Sequence, residues 1–378
     1  MRIVHVADTH LGFRQLHRVN DAGRNVREQD VYDAFERAIS KTIELEPAAL
    51  IHAGDLFDSY HPSSAALRVA LDGFARLRDA GIPAVVIAGN HSTPRVASAE
   101  HIFGVLERFG GVHVIYGGAR VVRIGDLAVH GVAHDNEPAQ LTAALRGARP
   151  AADAKFNVLV AHVGLDGLGQ VVGSEAGSVT VSGEALDQAG DFDYIALGHL
   201  HKFAPARNNA AYAGSLERLS WADDAPDKGI VEVDLAAGRE SRDYLCLHPI
   251  DGRSHITLDA IDAATADDLT AAILARGERA GGAEALRGAM VRVSVRNVTA
   301  AAWNALDQRA IAAAFRECLH FEREAHFAGR QAMQASASPA LREFLLRWPG
   351  AQGAGIDTED FIARAEAFLA RVDQELTA

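Results

Sequence analysis

Cysteine is scarce in this sequence. Its 378 residues include two cysteines, Cys246 and Cys318, which lack the paired spacing of a metal site or a redox motif. This scarcity argues against a disulfide-stapled secreted fold and against a structural zinc site built from thiolates. A reducing cytoplasm is therefore the predicted location.

Long hydrophobic runs are also missing. No apolar run approaches the ~18 residues that a membrane span requires, so we expect no membrane contact. The start of the chain, MRIVHVADTH, has too short an apolar run for a signal peptide. We interpret it as a β-strand.

Positive charge is in short supply. Lysine and arginine number 37 against 50 acidic residues, which gives a formal net charge of −13. This balance argues against a protein that coats nucleic acid by itself. It does not exclude a nucleic-acid enzyme, because a substrate groove needs only local positive charge.

What the sequence does contain is a regular alternation of strand-length apolar runs and amphipathic helices, from residue 1 to about 235. In the first predicted helix Val31, Phe35 and Ile39 recur every four residues. The apolar strands are continuous, which is typical of sheets covered on both faces. The predicted fold class is therefore α/β, layered around buried sheets.

Changes in composition predict three parts. The first is a large domain over residues 1–248, and the second is a smaller α/β domain over 249–330. A Ser/Ala-rich linker and terminal helices follow over 331–378. The last helix carries one apolar stripe, which suits docking onto a partner and equally suits packing on the chain's own body.

Potential metal ligands follow the ends of five predicted strands. They are Asp8, His10, Asp55, Asn90, His162, His199 and His201. In α/β sheets ligands bind outside the carboxyl ends of the strands. Imidazole, carboxylate and amide oxygen together suit Mn²⁺, Fe²⁺ or Zn²⁺. Seven ligands are too many for one ion, so we predict two metals sharing a carboxylate, as in metal-assisted phosphoryl displacement.

These motifs resemble, in the same order, those of the calcineurin-like metallophosphoesterases: D-x-H, G-D, G-N-H, H and G-H-x-H. More narrowly, DTHLGF, HAGDLFD, GHLHK and YAGSLER are similar to the SbcD-type DNA double-strand-break repair nucleases. The motif resemblance covers about residues 1–235. It implies a layered α/β/β/α core and a smaller α/β capping domain for DNA binding and specificity. It also implies C-terminal helices that bind an ATPase partner.

The resemblance also assigns the ligands. One metal is held by Asp8, His10, Asp55 and His201. The second is held by Asp55, Asn90, His162 and His199, so that Asp55 bridges. Mn²⁺ is the favoured ion, with Fe²⁺ and Zn²⁺ as alternatives. A metal-bound hydroxide is implied to attack the phosphorus, with His91 stabilising the phosphate or protonating the leaving oxygen.

Asp58 matches the second aspartate of a G-D-x-x-D pattern in the wider superfamily, where it hydrogen-bonds the histidine of G-N-H. We therefore expect Asp58 and His91 to form a catalytic dyad; the alternative is a solvated loop carboxylate or helix cap. The next residue, Ser92, stands where SbcD-like motifs usually carry an aspartate.

The loop that follows the first metal motif is rich in arginine. Arg14, His17 and Arg18 are predicted to contact DNA phosphates. The alternative is a solvated loop that shares the general arginine bias of the chain.

The leading hypothesis is a two-metal DNA nuclease. The resemblance implies a 3′→5′ exonuclease on double-stranded ends and an endonuclease on single strands or hairpins. It further implies a homodimer bound to an SbcC-like ATPase of the SMC type. Two alternatives stay open: a phosphodiesterase or phosphatase acting on a small molecule, and a weakly catalytic scaffold that positions the ATPase at DNA ends. Ser92 motivates the second of these.

Overall fold

The computed structural model describes residues 1–94, 100–166, 178–189, 191–223, 227–264 and 268–328. The chain divides into two compact units, residues 1–253 and 254–378. No helix within the described ranges is long and apolar enough to cross a membrane. The predicted linker and terminal helices, 331–378, lie outside the described residues.

The first unit consists of two six-stranded β-sheets with helices on their outer faces, and of a small sheet formed by two further strands. Its strands are β1 (Arg2–Val6), β2 (Leu50–His52), β3 (Ala84–Ile87), β4 (Val112–Ile115), β5 (Ala119–Ile124), β6 (Leu127–Val132), β7 (Phe156–His162), β8 (Gly164–Leu165), β9 (Thr180–Val181), β10 (Tyr194–Gly198), β11 (Ala204–Arg207), β12 (Ala210–Tyr212), β13 (Gly229–Asp234) and β14 (Leu245–Pro249). Its helices are α1 (Val26–Leu45), α2 (Ser64–Asp79), α3 (Phe103–Leu106) and α4 (Pro138–Gly147), with a 3₁₀ helix over Gly183–Ala189. Of the strands, β8 and β9 form the small sheet.

The strand order brings the predicted ligand-bearing strands together. One six-stranded sheet has the order β14-β13-β1-β2-β3-β4, and the other has the order β11-β12-β10-β7-β6-β5. β1, β2 and β3 are parallel neighbours in the first sheet, and β7 and β10 are parallel neighbours in the second. The carboxyl ends of each parallel group therefore meet at one edge of their sheet.

The main core lies between the two sheets. Buried Val85 of the first sheet and buried Val129 of the second belong to one hydrophobic cluster. On the outer face of the first sheet, α1 packs on α2 with the rings of Phe35 and Phe74 6.4 Å apart. Leu145 of α4 belongs to a second cluster on the other side of the second sheet. These layers confirm the predicted α/β/β/α arrangement.

Local sequence explains where α1 begins. The side chain of Asn25 accepts hydrogen bonds from the backbone N–H groups of Arg27 and Glu28, which caps the helix.

An ion pair explains why the first unit continues past residue 248. Arg253 forms a two-point ion pair with Asp30 of α1, with both N–O distances 2.5 Å. This pair holds the last residue of the unit against its first helix.

The second unit has its own α/β core. It contains a three-stranded parallel sheet of order β15-β16-β17. The strands are β15 (His255–Asp262), β16 (Met290–Val298) and β17 (His320–Phe327), and the helices are α5 (Leu269–Arg279), α6 (Gly282–Ala285), α7 (Ala300–Asn304) and α8 (Gln308–Ala314). Ile273 of α5 and Ile311 of α8 pack with Val293 of the central strand. The second unit is therefore α/β and begins at residue 254. Its role as a capping domain stays a prediction.

Candidate metal centre

Five strand ends deliver the predicted ligands to one place. β1, β2 and β3 lead into Asp8, Asp55 and Asn90, while β7 ends at His162 and β10 leads into His199. Three groups of side chains have ligand atoms within 4.8 Å of one another: Asp8 with His10 and His201; His10 with Asp55 and His91; and Asp8 with Asp55 and His162. The structure thus joins residues that lie almost two hundred positions apart in the sequence.

The backbone at the centre adopts conformations that side-chain-bearing residues rarely take. Seven non-glycine residues in the described ranges have a positive φ, and four of them are predicted ligands: Asp8 (51°), His10 (45°), Asp55 (52°) and His199 (105°). Such strained conformations cost of order 1–3 kcal/mol each and persist where surrounding structure imposes them. Their concentration at the predicted ligands supports a functional site there.

Glycines next to the ligands leave no room for a side chain. A Cβ on Gly54 would lie 2.3 Å from Nδ1 of His162, and one on Gly89 would lie 2.2 Å from Oδ1 of Asp55. A Cβ on Gly198 would lie 2.0 Å from the carbonyl oxygen of Ala53. The glycines of the G-D, G-N-H and G-H-x-H motifs are therefore required by close packing around the ligands.

The two central carboxylates are fully buried but differ in proton affinity. Burial raises the pKa of Asp8 above its usual value, although His162 and His201 oppose the rise. Burial also acts to raise the pKa of Asp55, but His162 and His10 outweigh it and hold that pKa well below its usual range. Burial acts to lower the pKa of His162, yet the Asp55 and Asp8 carboxylates raise it to about 9. In both carboxyl groups the neighbouring histidines thus favour the ionised form, which burial disfavours.

The donor set fits divalent metal ions. Nε2 of His162 lies 3.0 Å from Oδ1 of Asn90 and 3.0 Å from Oδ2 of Asp55, so three predicted ligands converge. Nε2 of His10 is buried and has no hydrogen-bond partner within the described part of the chain. A buried imidazole nitrogen without a partner costs free energy, which a bound cation would recover. Nitrogen and oxygen donors without thiolate suit Mn²⁺, Fe²⁺ or Zn²⁺.

His199 is placed beside these ligands rather than within the three groups. Its backbone N–H donates to Oδ1 of Asp8 at 3.0 Å, and its Nε2 lies 3.0 Å from Oγ of Ser178. Its ring is 5.4 Å from that of His162, measured between centroids. His199 therefore holds Asp8 through its main chain, while its role as a ligand of the second metal stays a prediction.

Two ligand histidines have hydrogen-bonding groups behind them. The carboxylate of Asp58 lies 3.1 Å from Nδ1 of His10. The carbonyl of Ala53 accepts from Nδ1 of His162 at 2.8 Å. These contacts fix which nitrogen of each ring carries the proton, and leave Nε2 of His10 and His162 as the atom that can bind a metal.

The structure alters the expected pairing of Asp58 with His91. Nδ1 of His91 donates to the backbone carbonyl of Asp58 at 2.8 Å, while the Asp58 carboxylate lies on His10. A carbonyl accepts a ring N–H as a carboxylate does, and the turn after Asp55 presents the two groups of Asp58 to two different histidines. The expected dyad is therefore corrected to a contact through the main chain. Ser92, beside His91, is fully buried.

The predicted DNA-contacting loop borders a cavity of its own. A cavity of about 680 Å³ is lined by Arg14, His17, Arg24 and their neighbours. The guanidinium of Arg14 forms a two-point ion pair with Glu28, with both N–O distances 3.1 Å. The charge of Arg14 is thus partly neutralised by Glu28, although the Arg14 side chain is 62% exposed. Arg18 is exposed on the same loop.

Two residues near His201 were not predicted from the sequence. Oδ2 of Asp223 lies 3.5 Å from Nδ1 of His201, and the ammonium of buried Lys228 donates to the His201 carbonyl. Both follow the YAGSLER motif, beyond the strand ends where the ligands cluster. The only sign of them in the sequence is that two charged residues lie close to a recognised motif. That His201 is their partner can be seen only in the folded chain.

Comparison with known proteins gives consistent matches. Residues 1–203 match the family model of the calcineurin-like phosphoesterases. The chain is 35% identical over 202 residues to "DNA double-strand break repair protein Mre11" of Sulfurisphaera tokodaii, covering 53% of this chain and 49% of that protein. The protein of the same name from Methanocaldococcus jannaschii is 32% identical, over 57% of each chain. The one from Thermoplasma acidophilum is 29% identical, over 68% of each chain. The chain spans about half the length of the first of these relatives.

Proposed function

This chain belongs to the calcineurin-like phosphoesterases, a family that uses a dinuclear divalent metal centre, and we propose that it is a metal-dependent DNA nuclease. The observation that carries the proposal is the convergence of Asp8, Asp55 and His162 on one buried site. The relatives named as DNA double-strand break repair proteins favour DNA over other phosphodiesters.

The metals have defined ligands in this proposal. Asp8, His10, Asp55 and His201 would hold one ion, and Asp55, Asn90, His162 and His199 would hold the other, with Mn²⁺ favoured. Two divalent ions bound there would supply Lewis-acid activation of the scissile phosphate and of the attacking water. The buried protein groups would exclude bulk water, which strengthens electrostatic interactions within the site.

His91 would act on the leaving group. Its backbone N–H donates to Oδ1 of Asp55 at 3.0 Å, and its Nδ1 is occupied by the Asp58 carbonyl. Its ring stands 4.7 Å from that of His10, edge to face, and is half-buried. In this proposal Nε2, the other ring nitrogen, faces the substrate. As the bond between phosphorus and the 3′-oxygen breaks, His91 would give that oxygen a proton.

Finer properties follow the resemblance of the motifs. We propose 3′→5′ exonuclease action on double-stranded ends and endonuclease action on single strands or hairpins. We further propose a cytoplasmic homodimer that works with an SbcC-like ATPase of the SMC type. The formal charge of −13 suits a subunit that gains part of its DNA affinity from such a partner.

The deciding experiment compares substrates under Mn²⁺. The purified protein is offered plasmid DNA, hairpin DNA and an aryl phosphodiester, with an Asp55→Ala variant as the inactive control. We expect Mn²⁺-dependent cleavage of DNA that the control lacks. Cleavage of the aryl ester alone would replace the nuclease by a small-molecule phosphodiesterase. Loss of all hydrolysis, in the presence of the ATPase too, would favour the scaffold.

A further inference from the structure

His201 is held by one segment of the chain at both its ring and its backbone. This segment connects β12 with β13, and its residues that hold His201 are Ser215, Asp223 and Lys228, which lie in the described ranges 191–223 and 227–264. Oδ2 of Asp223 lies 3.5 Å from Nδ1 of the His201 ring. The ammonium of Lys228 donates to the His201 carbonyl and, at 3.0 Å, to Oγ of Ser215. Ring and backbone of a predicted ligand are thus fixed together.

The Asp223 carboxylate is built into a tight turn. Its Oδ2 accepts the backbone N–H groups of Leu219 at 2.9 Å and Ser220 at 3.0 Å. The backbone N–H of Asp223 in turn donates to the Ser220 carbonyl at 3.3 Å. Because Asp223 is also buried, its position is set by the turn and is not one of many solvated rotamers.

Lys228 is fixed in the same way. Its side chain is buried, and burial lowers its pKa to about 8 although Asp223 opposes the shift. The Ser215 hydroxyl that receives its ammonium donates to the Glu217 carbonyl at 2.7 Å. The backbone N–H of Ser215 donates to the His201 carbonyl at 3.2 Å. Three groups of this segment therefore converge on His201.

We infer that Asp223 is a positioning residue for His201 and sets the affinity of the metal position formed with Asp8 and His10. A carboxylate at Nδ1 keeps the proton on that nitrogen and makes Nε2 a better ligand. The inference is carried by the contacts of Asp223 and Lys228 with His201. These contacts join protein atoms only and need no bound substrate. The inference rests on the metal centre that the proposed function requires.

The two metal positions should therefore respond differently. His10 and His201, assigned to one position, are each backed by a carboxylate, from Asp58 and Asp223. His162, assigned to the other, is backed by the neutral carbonyl of Ala53. Changing the charge of Asp223 affects the first position and leaves the second with its ligands and their supports intact.

The test is calorimetric titration of the full, metal-free chain with Mn²⁺. Asp223→Asn keeps an oxygen for the N–H groups of Leu219 and Ser220 but loses the charge. We expect one of two binding steps to weaken by roughly 10–100-fold, the usual cost of losing such a supporting group. Asp227→Asn, an equal change of charge at an exposed neighbouring position, should bind as the wild type does.

Two further readouts separate positioning from folding. The unfolding midpoint of the metal-free Asp223→Asn protein should match that of the wild type, and Asp223→Glu should recover most of the lost affinity. The visible absorption of bound Co²⁺ should change in Asp223→Asn and not in Asp227→Asn. Equal Mn²⁺ affinities of Asp223→Asn and wild type would overturn the inference even if the protein cleaves DNA. If the wild type bound two Mn²⁺ ions yet left DNA intact, the nuclease proposal would fail while this inference stood.

Discussion

Nδ1 of His91 donates to the backbone carbonyl of Asp58 at 2.8 Å, while the carboxylate of the same Asp58 lies 3.1 Å from His10. One residue thus supports a predicted metal ligand with its charge and the predicted proton donor with its main chain. A side-chain substitution at this position removes the first support and leaves the second in place.

Asp58→Asn should therefore impair hydrolysis by weakening the binding of the metal that His10 is predicted to hold. We expect weaker Mn²⁺ binding by roughly 10–100-fold and a loss of activity that excess Mn²⁺ partly restores. Ser92→Ala is the comparison. Ser92 is buried and its Oγ has no hydrogen-bond partner within the described ranges, so its removal should change activity little. A larger loss in Ser92→Ala than in Asp58→Asn, in DNA hydrolysis across Mn²⁺ concentrations, would show that the support is wrongly assigned.

His91→Ala should lower kcat by roughly 10²–10⁴, as expected for the loss of a general acid. Mn²⁺ affinity should be retained, because the assigned ligands remain. Steady-state DNA hydrolysis and calorimetry measure the two quantities on the same protein, with exposed His61→Ala as the control. Equal cleavage by His91→Ala and wild type would remove His91 from the mechanism, and loss of Mn²⁺ binding would make it a ligand.

Gly198→Ala should disrupt the centre by overpacking. The added methyl would meet the Ala53 carbonyl at 2.0 Å and Nδ1 of His162 at 2.8 Å, at the hydrogen bond between those two groups. We expect a loss of roughly 1–3 kcal/mol in the free energy of unfolding, measured by urea denaturation, together with weaker Mn²⁺ binding. Gly147→Ala at the exposed end of α4 has nothing within 4 Å of the added methyl. It should leave both quantities unchanged or raise stability slightly.

Mn²⁺ should stabilise the folded protein. Saturation of one site at 100 times its Kd contributes about 2.7 kcal/mol to the free energy of unfolding. For a unit of this size that corresponds to a rise in Tm of roughly 5–10 °C. Calorimetric scans with Mn²⁺ and with a chelator measure the shift. Asp55→Ala removes the predicted bridging ligand, and a Tm that still rose by the same amount would place the ions elsewhere.

Arg18→Ala should weaken DNA binding without changing sequence preference. Loss of one phosphate contact reduces the slope of log affinity against log salt by about 0.9. Binding to a DNA end measured at several salt concentrations gives that slope. Arg68→Ala is a matched control, because Arg68 is an exposed arginine on α2 paired with Asp72. The same slope for Arg18→Ala and the control would assign the loop to solvent.

The clustering of the candidate ligands was predictable because the information is local. Each of the strands β1, β2, β3, β7 and β10 ends within a few residues of a candidate ligand, and parallel strands bring such ends together. The fold class follows from the same alternation. The hairpin of β5 and β6 is local in the same sense, because its two strands are separated by a short turn at Gly125 and Asp126.

The supporting contacts were not predictable in the same way. The sequence indicated Asp58 but not that its carbonyl, rather than its carboxylate, meets His91. Asp223 reaches His201 from a loop more than twenty positions later, and only the folded chain brings them together. A side chain that acts by positioning another residue need not follow the end of a strand. Its role can therefore be recognised only from tertiary contacts.

The most direct test of the account is an anomalous-scattering map from crystals of the full chain grown with Mn²⁺. We expect two peaks that share Asp55, one beside Asp8, His10 and His201 and the other beside Asn90, His162 and His199. A single peak, or peaks away from the ends of β1, β2, β3, β7 and β10, would contradict it.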